Sequence, residues 1–77
     1  MTKQELKEIL AEQFSCDESE LTSDMTLADL GADHEDLIEL AWQLGEALGV
    51  EVDEDQLSDT DTIEQLWRLS MELEEDA

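Results

Sequence analysis

Two glycines, Gly31 and Gly49, bracket the stretch of this chain whose apolar residues keep the most regular helical period. Between them Leu37, Leu40, Ala41, Leu44 and Leu48 recur at spacings of three and four, which places them on one face of a helix. Gly31 interrupts whatever precedes it, and Gly49 is suited to the left-handed residue that stops a helix. Asp33 is placed to cap the first turn by accepting a backbone N–H. Asp36 and Glu39 put negative charge where the helix dipole favours it. Ile38 and Trp42 form a second, narrower apolar strip beside the main face. Gly45, in mid-helix, costs about 1 kcal/mol relative to alanine, and its presence implies that another element approaches the helix closely there.

Charge decides which partners such a chain can have. Its 77 residues hold 24 acidic and 3 basic side chains, a formal net charge of −21. Contact with nucleic-acid phosphate is thereby excluded as a main activity. An acidic chain can remain disordered, but 40% hydrophobic content laid out periodically argues for a folded domain. That domain is expected to be under self-repulsion and to gain stability from salt or divalent cations. The three cations, Lys3, Lys7 and Arg68, all lie outside the central helix. Its surface is therefore acidic without local relief, which suits partners with basic docking patches.

The rest of the chain reads as support for that helix. Thr2 with Glu5 is a capping-box pair opening a first helix, with Leu6, Ile9, Leu10 and Phe14 inward and a soft end near Phe14 or Ser15. From Ser15 to Leu30 the period is lost, and a long ordered loop is expected, pinned by Cys16, Leu21, Met25, Leu27 and Leu30. Thr26 to Leu30 suits a short helical turn, with Asp29 reaching back to Thr26. Cys16 reads as a buried core thiol, because no basic neighbour is evident to stabilise a thiolate. After Gly49, Val50 and Val52 alternate in an extended link, and Asp53 caps a brief helix over Glu54 to Leu57. Asp61 with Glu64 announces the last helix, with Ile63, Leu66, Trp67, Ser70 and Leu73 inward. Trp67 reads as core, and Glu74 to Ala77 as a frayed acidic tail. With one cysteine there is no internal disulfide and no cysteine-pair zinc site. The Asp53–Asp55 run fails as a calcium loop, since Leu57 occupies the next alternate position and the required glycine is missing.

Gly31-Ala32-Asp33, a helix carrying Glu39-Leu40, and then Glu51-Val52 resemble the acyl carrier proteins over essentially the whole length. The resemblance implies an all-α four-helix bundle spanning residues 1–77 as one domain: three main helices, one short third helix and a long first loop. It also implies that the second helix docks on acyl-handling enzymes through their lysine and arginine patches. The docking residues expected on it are Asp33, Glu35, Asp36, Ile38, Glu39, Trp42 and Glu46, with Glu35 standing in place of a family leucine and Trp42 in place of a smaller or flexible apolar residue. The family attaches phosphopantetheine through a serine directly after the aspartate and follows it with leucine. This chain has His34 and Glu35 there, and no serine lies between Asp24 and Trp42. Imidazole cannot form the phosphodiester that a serine hydroxyl forms, so no cofactor is expected. Ser23, Thr26 and Ser58 lie outside the start of the second helix.

His34 itself reads as a solvent-exposed first-turn residue, as a pH-sensitive contact between Asp33 and Glu35, or as a single metal ligand. One histidine among carboxylates does not make a zinc site, and no nucleophile is paired with a base, so enzyme activity is not expected. Trp42 reads either as packing against the short third helix or as an exposed anchor with Ile38 inside an acidic rim. The favoured function is a non-covalent docking or regulatory module for enzymes of fatty-acid or polyketide-type metabolism. One alternative is a true carrier bearing phosphopantetheine at an unusual site, and a third is an acidic nucleic-acid mimic. A charged, amphipathic N-terminus and the absence of any membrane-length apolar run point to a soluble protein of the cytoplasm, and a monomer is expected.

Overall fold

The computed structural model describes residues 1–76. It consists of α1 (Lys3–Gln13), α2 (His34–Leu48) and α3 (Ile63–Asp76), with 3-10 turns at Glu18–Glu20, Ala28–Leu30 and Glu54–Gln56. No β-strand occurs among the described residues; Thr26 and Thr62 form one isolated antiparallel bridge. The expected short third helix is the single 3-10 turn Glu54–Gln56. Asp53 and Gln56 bracket it, with the Asp53 N–H donating to Gln56 Oε1 at 3.0 Å, and its bonds run i to i+3.

Local chemistry explains where each helix starts and stops. Thr2 and Glu5 close the capping box of α1 in both directions, at 3.1 and 3.2 Å. The soft end of α1 is made by a serine rather than a glycine. Ser15 takes φ +53°, and the Cys16 N–H reaches back to Ala11 O at 3.0 Å, so an αL residue ends the helix. Gly49, at φ +72°, does the same for α2.

The cap of α3 falls one residue later than the sequence suggests. Thr62 and Gln65 form the reciprocal pair, at 2.8 and 3.1 Å. Asp61 instead accepts from the Ser58 N–H at 2.9 Å, and Glu64 accepts from Lys3 Nζ at 2.7 Å. The long first loop supplies the rest of the cap: Ile63 N–H donates to Met25 O at 2.9 Å, and Glu64 N–H to Ser23 O at 3.0 Å. Three N–H groups that a helix start leaves without partners are thus satisfied. This gives the loop a reason to be ordered. At its other end α3 continues to Asp76, so Glu74 and Glu75 are helical rather than frayed; Ala77 lies outside the described residues.

The core follows the apolar faces. Leu6 and Leu10 of α1, Leu40 and Leu44 of α2, and Ile63 and Leu66 of α3 are fully buried. Leu21 and Leu27 from the loop, together with Leu57, close the ends of this core. Each such side chain contributes about 1.5–3 kcal/mol on burial. Cys16 is half-buried, packed against the core while lining a surface groove with Glu8 and Glu12, rather than fully inside. Trp67 is also half-buried. Its indole N–H donates to Met1 O at 3.1 Å, and Lys3 Nζ lies 5.0 Å from its ring centre.

Candidate functional site

The outer face of α2 is built from its cap downward. Asp33 Oδ1 accepts from the Asp36 N–H at 3.0 Å, and Asp36 Oδ2 accepts from the Asp33 N–H at 3.1 Å. This reciprocal pair fixes where the helix begins and uses one oxygen of each carboxylate. His34 is the first helical residue and is exposed. No side chain of α2 carries a hydroxyl or a thiol. Among the loop hydroxyls, Thr26 accepts from the Asp29 N–H at 3.1 Å, and Ser58 pairs with Thr60 at 2.9 Å. The start of α2 therefore offers no group that fits a phosphopantetheine phosphodiester.

Below the cap, Glu35, Ile38, Glu39, Trp42 and Glu46 are linked by three- and four-residue spacings (35 to 38 and 39, 38 and 39 to 42, 42 to 46) and form a single outward stripe. Ile38 is 42% exposed and Trp42 66%. Trp42 is thus an exposed ring rather than part of the packing beneath the third helical position. Of the residues singled out in the sequence, the stripe brings these five together. Asp33 and Asp36 sit apart in the cap, with Asp36 half-buried.

Beside Trp42 lies an open groove of about 300 Å³, floored by Ala41, Gly45, Val50 and Val52 and edged by Glu46 and Glu51. Gly45 makes this groove possible. A Cβ there would stand 2.7 Å from Val50 O, and the Val50 N–H returns to Gly45 O at 3.1 Å. The link after α2 presses directly onto the helix backbone, as the mid-helix glycine predicted.

Two residues that the sequence did not single out hold α2 in place. Gln13, at the end of α1, donates through Nε2 to Asp36 O at 2.9 Å and accepts from Gln43 Nε2 at 2.6 Å. The only available signal was two glutamines at the inner edges of their helices, with nothing to pair them.

The charge distribution is lopsided. Lys3 and Arg68 converge on Glu64, with Arg68 Nε at 3.7 Å from an Oε2 that is buried and has no hydrogen-bond partner. The bond from Lys3, with its charge and that of Arg68, holds the Glu64 carboxyl below its ordinary value near 4.5, and desolvation opposes this only in part. Lys7 is on α1, so α2 carries no lysine or arginine. Among the described residues no group of three or more metal-ligating side chains converges. No helix there is long and apolar enough to cross a membrane.

These features define a small helical domain of the carrier type. Residues 4–69 match the family described as phosphopantetheine attachment site. An acyl carrier protein from Rubrobacter xylanophilus is 38% identical over 63 residues, covering 80% of this chain and 78% of that protein. The NMR structure of the HMG-ACPI domain from the CurA module of Lyngbya majuscula superposes with a TM-score of 0.80 at 28% identity. That match covers 96% of this chain and 76% of the domain. The chain belongs to the acyl carrier protein family. Such proteins are carriers that work with acyl-handling enzymes and are not themselves catalysts.

Proposed function

We propose that this chain docks on acyl-handling enzymes without carrying an acyl chain, as a regulatory or scaffolding relative of the true carriers in fatty-acid or polyketide-type metabolism. One observation carries the reading: α2 keeps an outer stripe whose only charges are acidic, while its first turn has His34 where the family's attachment chemistry requires a hydroxyl. The stripe from Glu35 to Glu46, with Asp33 and Asp36 above it, is the docking face. Its partners present basic patches, because nothing on α2 neutralises its carboxylates. The single free thiol fits a reducing compartment such as the cytoplasm.

Intact mass after incubation with coenzyme A and a broad-specificity phosphopantetheinyl transferase, beside a competent carrier, tests this reading. No mass gain is expected while the control is fully modified. A gain of one phosphopantetheine would overturn it, and peptide mapping would then locate the hydroxyl that accepted the group.

A further inference from the structure

We propose that Trp42, flanked by Glu39 and Glu46, is an arginine-selective receptor for a basic helix of the partner. The inference rests on the docking reading above and names which cation that face prefers.

The molecule supplies its own precedent. At Trp67, ring, cation and carboxylate are joined within the chain: Lys3 Nζ stands 5.0 Å from the ring centre and 2.7 Å from Glu64 Oε1. At Trp42 the ring is present, and the carboxylates of Glu39 and Glu46 lie three residues before and four after it on the same exposed face. The cation is not. Lys3 and Arg68 are committed to Glu64, and Lys7 belongs to α1. Charge complementarity therefore assigns the missing cation to a partner.

The two sites differ in exposure, and this selects the cation. Trp67 is half-buried with its own tether, so an ammonium can be held there. Trp42 is 66% exposed, and on an open surface a lysine ammonium keeps its water. A guanidinium is planar and more weakly hydrated. It can stack on the indole face while its N–H fork reaches a carboxylate on either side. The groove beside the ring is floored by Ala41, Gly45, Val50 and Val52 and takes the neighbouring aliphatic side chain of the same partner helix.

The test uses two helical peptides that share a leucine-bearing face and differ only in having arginine or lysine at every basic position. Each is titrated calorimetrically, at fixed ionic strength, against the full chain and its Trp42→Leu and Trp42→Phe variants, with folding checked by circular dichroism. The arginine peptide is expected to bind the wild-type chain about three- to fivefold more tightly than the lysine peptide. Trp42→Leu should abolish that ratio, bringing arginine-peptide affinity down to that of the lysine peptide, and Trp42→Phe should retain part of it. Equal affinities for the wild-type chain, or a preference that survives Trp42→Leu, would overturn the inference and leave docking intact. If neither peptide binds the wild-type chain, the docking reading falls and takes this inference with it.

Discussion

The two tryptophans occupy opposite electrostatic circumstances. Trp67 has a hydrogen bond to Met1 O, a lysine over its ring and a carboxylate that holds this lysine in place. Trp42 has carboxylates on either side and water over most of its surface. The same side chain is structural where its cation is intramolecular and exposed where it has none. The difference comes from the placement of three basic residues, none of them on α2. A chain this short of cations pairs the carboxylate at the start of α3 and leaves the outer face of α2 acidic.

The largest expected effect separates the two rings by stability. Trp67→Ala should cost about 2–3 kcal/mol in urea unfolding, since it removes a half-buried ring and its hydrogen bond. Trp42→Ala should stay within about 0.5 kcal/mol of the wild type. Equal losses at both positions would erase the contrast.

The next effect concerns the groove beside Trp42. Alanine at position 45 gains about 1 kcal/mol of helix propensity. Its Cβ would nevertheless stand 2.7 Å from a backbone oxygen, which moves only if the whole link shifts. Gly45→Ala should therefore be net destabilising, by about 1–2 kcal/mol. A gain in thermal midpoint would show that the link gives way freely.

The smallest effect belongs to the paired carboxylate, Glu64, and depends on pH. Glu64 has its folded-state pKa lowered, first by the bond from Lys3. Its contribution is therefore complete above the unfolded carboxylate range and is lost as pH falls through the folded value. The stability difference between the wild type and Glu64→Gln should be constant near neutrality. It should begin to shrink below a pH of about 4.5 and vanish under stronger acid. Taking this difference removes the general relief of self-repulsion as the other carboxylates protonate. A difference that holds at all pH values would assign the role of Glu64 to packing.

Much of this bundle was legible because its signals are local. The Thr2–Glu5 capping box, the Asp33 cap, the stop at Gly49 and the close approach at Gly45 each depend on neighbours within a few residues. Asp29 reaches back to the Thr26 N–H at 3.0 Å for the same reason. What the sequence left hidden depends on distant partners. Asp61–Glu64 and Thr62–Gln65 both fit a capping pattern, and the choice between them is made by Lys3, which draws Glu64 away to α1. Gln13 joins α1 to α2 through groups that no spacing could pair. On the outer face of α2, the stripe was legible from helical period alone. The exposure of Trp42 was not, because it depends on how close the link after Gly49 comes to the helix.

The bridge between Thr26 and Thr62 has a consequence for motion. Leu27 N–H donates to Asp61 O at 3.1 Å and Ile63 N–H to Met25 O, so the bridge's two bonds, beside those from Ala28 N–H to Asp59 O and from Glu64 N–H to Ser23 O, clasp the ends of a lobe that contains all of α2. Closing that lobe costs the entropy of a long loop, and the clasp forms only after the chain between has been gathered in. The bridge's two amides are therefore reporters of lobe opening in hydrogen exchange: they lose protection when α2 is released from the start of α3, whether or not α1 has melted.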